Sequence, residues 1–142
     1  MAEKLRILLV DDHEDTLLAL EAALVPLGHP VERATGGAHA LKAALKGGVG
    51  LVVMDVRMPL LSGMEVARYL RRLDQTCHIP IILVTGMRLD DDLTAEALEV
   101  GVADIISKPI DLNALRVKAG YMMRLGAERA TAPRSVTTSG VP

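Results

Sequence analysis

The sequence predicts an α/β protein in which a parallel sheet is covered by helices on both sides. Five short apolar runs alternate with longer segments of helical period. The runs are apolar at successive positions, as strands buried on both faces are. Half of the residues are hydrophobic, yet the chain has no Trp, no Phe and two tyrosines, Tyr69 and Tyr121. Its core must therefore be built from Leu, Val, Ile, Ala and Met.

The first run is Leu5 to Val10. Leu17, Leu20, Leu24 and Leu27 then fall at helix-face spacing, with Pro26 disturbing the last turn and Gly28 as the stop. Val31 to Ala34 reads as a second strand. Ala40, Leu41, Ala44 and Leu45 mark a second helix, ended by Gly47-Gly48. Leu51 to Met54 is the third strand. Ser62 and Glu65 have capping-box spacing, which predicts a third helix from Gly63 to about Leu73. Ile79 to Val84 is the fourth strand, with Pro80 near its start. Leu93, Ala97 and Val100 mark a fourth helix stopped by Gly101. Ala103 to Ile106 is a short fifth strand, and Asp111 caps a fifth helix carrying Leu112, Leu115, Ala119 and Met122 on one face.

A length of 142 residues suits one domain. From Gly126 the chain loses apolar periodicity and becomes rich in Ser, Thr, Ala, Pro and Gly, so 126–142 reads as a flexible tail or linker stub after a domain over 1–125. The net charge of −2 gives no global attraction to nucleic acid. No apolar run approaches the roughly 18 residues of a membrane span, and there is no signal-peptide core. The lone Cys77 cannot form an internal disulfide and reads as a buried thiol beside a strand. Together these features predict a cytoplasmic protein without a membrane anchor.

In open α/β sheets the chemistry collects at the carboxyl ends of the strands. Strand one ends in Asp11-Asp12, strand three in Asp55, strand four in Thr85-Gly86 and strand five in Ser107-Lys108-Pro109. Three clustered carboxylates repel one another, so either their pKa values rise or a cation neutralises them. Hard oxygen ligands suit Mg2+. A carboxylate beside such a cation can attack phosphorus to give an aspartyl phosphate, which is a role for Asp55. Lys108 would hold a phosphoryl oxygen as a point charge, and Thr85 would donate a hydrogen bond to another.

The pieces ILLVDD at 7–12, VVMDVRMP at 52–59, LVTG at 83–86 and SKP at 107–109 resemble the receiver domain of two-component response regulators. The resemblance covers residues 4–125. It implies a flavodoxin-like doubly wound (βα)5 sandwich with strand order 2-1-3-4-5, as in chemotaxis regulators. It implies Asp55 as phosphoacceptor, Asp12 and Asp55 with the Arg57 carbonyl as direct Mg2+ ligands, and Asp11 acting through a metal-bound water. It also implies Thr85 as switch hydroxyl, Lys108 as phosphate-binding lysine and a cis Lys108–Pro109 bond. The implied partners are a histidine kinase or histidine phosphotransfer protein, and a downstream protein docking on the fourth helix, fifth strand and fifth helix, where Arg116, Lys118 and Arg124 form a basic patch. Direct contact with nucleic acid or with a membrane is not expected.

The sequence departs from the family pattern at Ile105, where receivers usually carry Tyr or Phe, and at Ile110, where an aromatic residue is also common. The loop GMRLDDD after Thr85 is a residue longer than usual. Arg57 and Met87 flank the site and can screen attacking water. His13 reads as a surface residue at a helix start, and His29, His39 and His78 as turn or surface residues. Asp90-Asp91-Asp92 complements the dipole of the fourth helix. A phosphatase with an Asp nucleophile needs a second acid two residues on; that position is Arg57, so the chain is not expected to turn over substrate. Alternatives are a receiver fragment of a larger regulator or hybrid kinase, and a fold-only interaction module with an altered switch.

Overall fold

The computed structural model describes residues 4–131. Its five strands form one parallel sheet in the order β2-β1-β3-β4-β5. The strands are β1 (Arg6–Val10), β2 (Val31–Ala34), β3 (Val49–Asp55), β4 (Ile81–Thr85) and β5 (Asp104–Ser107). Between and after them lie α1 (Glu14–Leu24), α2 (Gly37–Leu45), α3 (Gly63–Arg72), α4 (Asp91–Val100) and α5 (Leu112–Thr131). The flavodoxin-like fold and strand order are as the family resemblance implies.

The unbroken apolar runs resolve into two cores once the strands are laid out. Alternate side chains point to opposite faces. Leu8, Val10, Val52, Met54, Ile81 and Leu83 face Ala40, Ala44, Val66, Leu70 and Ala97 of α2, α3 and α4. Ile7, Leu9, Leu51, Val53, Ile82 and Val84 face Leu17, Leu20, Leu24, Leu115, Ala119 and Met123 of α1 and α5. Small alanines on α2 and long aliphatics on the strands fill the space that aromatic rings would otherwise take.

The helix ends follow local chemistry. Pro26 tightens the end of α1 into a 3-10 turn, Val25–Leu27, closed by Gly28 at φ 85°. Ser62 and Glu65 form the expected capping box on α3. Asp90 caps α4 through the Leu93 N–H, and Gly101 closes it at φ 84°, a left-handed conformation open to glycine.

Several boundaries differ from the sequence reading. β3 begins at Val49, because pairing with Arg6 draws the residues before Leu51 into the sheet. β4 begins after Pro80, which has no N–H to give the ladder. α5 continues through Gly126 to Thr131, past the point where the tail was expected to begin; the rest of that segment lies outside the described residues. Cys77 is exposed and not buried. Its turn instead buries Thr76, whose Oγ1 donates to the Leu70 carbonyl at 2.7 Å and closes the end of α3. Among the described residues no helix is long and apolar enough to cross a membrane.

Arg71 ties α3 to the turn before β4 and to the end of α4. Its guanidinium donates to the carbonyls of Ile79 (2.8 Å), Cys77 (3.2 Å) and Gly101 (3.0 Å). Burial pushes its pKa down, yet guanidinium remains charged in any working range. We expect Arg71→Ala to cost about 2 kcal/mol, since it strands the partly buried Ile79 carbonyl and removes two further bonds that tie α3 to its neighbours. Arg72→Ala, one residue on, is expected to cost no more than about 0.5 kcal/mol. Urea unfolding of the two variants measures the contrast.

Candidate functional site

Register brings the charged residues of the strand ends together. Met54 lies beside Val10 on one side and Leu83 on the other, so Asp11 and Asp55 project from adjacent strands at the same level. Thr85 pairs with Ser107, which sets Lys108 immediately beyond the same edge. The Lys108 N–H donates to the Thr85 carbonyl at 2.8 Å, and the Lys108–Pro109 bond is cis, as expected.

The turn after β3 is held just as closely. The Gly63 N–H donates to the Val56 carbonyl at 2.8 Å. A Cβ on Gly63 would lie 2.1 Å from the Asp55 carbonyl oxygen, a distance no side chain can occupy. Gly63 thus lets the start of α3 press against the backbone that carries Asp55. The sequence reading used Gly63 only as a helix start; the signal it passed over was a glycine at the first position of a capped helix close behind a strand end.

Asp11, Asp55 and Thr85 are 1%, 5% and 0% exposed. One ligand atom from each of Asp11, Asp12, His13 and Asp55 lies within 4.8 Å of all the others. Lys108 Nζ stands 3.6 Å from Asp55 Oδ2 and 3.8 Å from Asp11 Oδ2, an ion-pair distance to both with a direct hydrogen bond to neither. Burial, then the charge of Asp11, raises the Asp55 pKa above the ordinary carboxylate value; Lys108 and the Arg57 backbone oppose this without cancelling it. Thr85 Oγ1 accepts the Met87 N–H at 2.9 Å.

His13 is the residue the sequence reading undervalued. It is the N-cap of α1 and exposed, as expected, but its side chain makes no cap bond. The ring turns back onto the acidic pair, with Nδ1 3.1 Å from Asp11 Oδ1 and 3.2 Å from Asp12 Oδ1. The hydrogen bond to Asp11, then the charge of Asp12, raises its pKa. Asp12 Oδ1 is buried and makes no hydrogen bond, so apart from that ionic neighbour it has an unused lone pair facing the cluster. A set of hard carboxylate oxygens with one orphaned member fits a divalent cation. The acidic cluster can therefore hold a metal ion.

The flanking residues also have definite places. The Arg57 side chain is exposed and its Nε lies 3.0 Å from Met87 Sδ, which links the loops after β3 and β4. Ile105 is half-buried beside Leu83 and lines a cavity of about 180 Å³ with Thr94, Ala97 and Leu98 of α4. Of the three cations expected on α5, Arg124 is exposed and the other two are turned onto the fold. Arg116 turns to the Ala23 carbonyl of α1 at 2.7 Å, and Lys118 pairs with Asp104 at 2.5 Å. Both cations are engaged within the fold, and that surface presents Leu98, Val117 and Tyr121.

Sheet order and edge chemistry together define a flavodoxin-like module with an acidic, lysine-bearing site at the carboxyl edge of its central strands. The family model for the response regulator receiver domain matches residues 7–119, and the chain belongs to that family. It is 33% identical over 135 residues to the transcriptional regulatory protein PrrA of Mycobacterium tuberculosis, a match covering 95% of this chain and 57% of that one. The chain spans about half the length of the curated relatives it matches first. Among solved structures it is similar to chemotaxis protein CheY4 of Vibrio cholerae, with a TM-score of 0.77, 26% identity and coverage of 84% of this chain and 99% of that one. The receiver domain of sensor histidine kinase PA1611 of Pseudomonas aeruginosa matches with a TM-score of 0.75 and 28% identity, over 85% of this chain and 98% of that one; that structure has a magnesium ion coordinated in its active-site cleft.

Because the Asp55 pKa is raised in the fold, the native state binds protons more readily than the unfolded chain. Stability therefore falls as pH rises from the ordinary value near 3.8 through the folded pKa, and the penalty is complete above it. Asp55→Asn removes that penalty. In metal-free buffer at neutral pH we expect the variant to melt a few degrees higher, about 1 kcal/mol, and to lose the difference from wild type below about pH 4. Thermal unfolding with chelator across pH checks this.

Proposed function

We propose that the chain accepts a phosphoryl group on Asp55 from a histidine kinase or a histidine phosphotransfer protein, with Mg2+, and signals by changing its protein-binding surface. The observation that carries the reading is the position of Asp55: buried among Asp11 and Asp12, with Lys108 Nζ 3.6 Å from its Oδ2. An Asp55 oxygen forms the O–P bond as the donor's N–P bond breaks, and the leaving imidazole nitrogen retains the electron pair. Asp11, Asp12 and Asp55, with the Arg57 carbonyl, would hold the cation, which supplies charge neutralisation for the phosphoryl oxygens. Lys108 would neutralise a further phosphoryl oxygen. The protein contributes position and charge, which are most of what phosphoryl transfer needs.

Thr85 relays the change. A hydroxyl has one donor and two acceptor lone pairs, so Thr85 can donate to a phosphoryl oxygen while accepting from Met87. Any shift of Thr85 toward the phosphoryl group then pulls on the Gly86–Asp90 loop and on the start of α4. The responding surface is α4, β5 and α5, and its exposed Leu98, Val117 and Tyr121 are the groups a protein partner would cover. The protein turns over no substrate of its own beyond slow loss of the phosphoryl group, since Arg57 stands where a general acid would be needed. Given the length of its relatives, a second reading keeps the same chemistry and makes this receiver one part of a longer regulator.

Incubation with acetyl phosphate and Mg2+ is expected to give one phosphorylated aspartate, mapped by mass spectrometry to Asp55 and absent in Asp55→Asn. Thr85→Ala should still take up the group but lose the NMR shifts over α4. An adduct that persists in Asp55→Asn would overturn the assignment.

Arg57 and Met87 touch through Nε and Sδ, and under this proposal the pair screens the site against attacking water. We expect the double variant Arg57→Ala, Met87→Ala to lose its phosphoryl group several-fold faster, at a rate unchanged by added phosphodonor. Equal decay rates for variant and wild type, read from the NMR spectrum of the phosphorylated form, would remove these side chains from the mechanism.

A further inference from the structure

His13 belongs to the acidic cluster as well as to the start of α1. Its ring nitrogen Nδ1 lies 3.1 Å from Asp11 Oδ1 and 3.2 Å from Asp12 Oδ1. Neighbouring ligands on an octahedral ion with bonds near 2.1 Å are roughly 3.0 Å apart, and opposite ones roughly 4.2 Å. The His13 separations are close to the first value, and the 4.8 Å outer limit of the whole cluster is a small contraction away from the second. Asp12 Oδ1, the atom beside His13 Nδ1, is the buried oxygen without a hydrogen bond. Nothing in α1 claims the imidazole, because its side chain makes no cap bond to the helix.

We propose that His13 Nδ1 is a ligand in this cation site and that it shifts the site's preference from Mg2+ toward later first-row divalent cations that favour imidazole, such as Co2+. The inference rests on reading the acidic cluster as a cation site. Carboxylates and water suit Mg2+ and Mn2+, whereas an imidazole adds little for Mg2+ and much for later first-row ions. The alternative role for His13 is that of a hydrogen-bond donor that merely orients Asp11, which would affect every cation alike.

The test compares the full chain with His13→Ala and His13→Gln, neither of which removes a helix-cap bond. Calorimetric titration with Co2+ should show affinity reduced roughly tenfold or more in both variants, while Mg2+ affinity changes less than about twofold. Pulsed electron paramagnetic resonance of the Mn2+ form should show nitrogen-14 coupling in the wild type and none in either variant. Parallel losses for Co2+ and Mg2+, identical Mn2+ spectra, or no Mn2+ binding by the wild type would overturn the proposal. Acetyl phosphate with Mg2+ separates this outcome from the underlying reading. Both variants should still be modified at Asp55, and a wild type that takes up no phosphoryl group would sink the phosphoacceptor reading while the nitrogen coupling is judged on its own.

Discussion

Mutual repulsion among Asp11, Asp12 and Asp55 is the constraint around which the rest of the molecule is organised. Two unit charges about 4 Å apart repel by about 4 kcal/mol at an effective dielectric near 20. Asp11 and Asp55 are almost wholly buried, so water screens them poorly. The fold opposes this repulsion with fixed groups: Lys108 between two of the carboxylates, the Arg57 backbone against Asp55, and His13 against the other pair. Lys108 stays beyond hydrogen-bond reach of both its partners, and Asp12 keeps an oxygen without a hydrogen bond. The cluster is therefore under-neutralised, which is the condition under which a divalent cation, and an anionic group beside it, are drawn in.

Holding such a cluster together takes a rigid frame. Each central strand is buried on both faces by aliphatic side chains, so neither Asp11 nor Asp55 can retreat without opening a core. Register does the rest, since parallel pairing of β1, β3 and β4 leaves the strand ends level. Gly63 removes the remaining freedom by seating α3 against the Asp55 carbonyl. Destabilised chemistry at one edge and dense packing behind it are two sides of one arrangement.

The fold was legible because its signals are of long period and mutually consistent. Alternation of apolar runs with helical faces, the Ser62–Glu65 box, and the glycines at 28 and 101 each have a local cause. The strand-end residues Asp11, Asp12, Asp55, Thr85 and Lys108 were legible for the same reason: each follows an apolar run, and topology alone brings them together. Side-chain direction was not legible. Cys77 looked buried because it adjoins a strand, yet the turn spends its interior position on Thr76. Arg116 and Lys118 looked like a docking patch because both are charged and on one helix, yet one reaches α1 and the other Asp104. The His13 ring could have pointed outward from any helix start; only the three-dimensional turn at Asp11–Asp12 brings it back. The end of α5 escaped because Gly126 weakens a helix by propensity without forbidding it.

The same reasoning bears on the missing aromatic at Ile105. Two physical links join the carboxyl edge of the sheet to α4 in this structure. One runs through hydrogen bonds, from Thr85 to Met87 and along the loop to Asp90, which caps α4. The other runs through packing, where Ile105 fills part of the space beside Thr94, Ala97 and Leu98. An isoleucine has no polar tip, so it can report on α4 only by changing rotamer within a cavity of about 180 Å³. The cavity gives it room to move, but little dispersion energy is lost or gained when it does, because an aliphatic group makes few new contacts in a partly empty space. The hydrogen-bonded link is the continuous one: the Asp90 cap that starts α4 is joined, within one short loop, to the Thr85 hydroxyl at the end of β4.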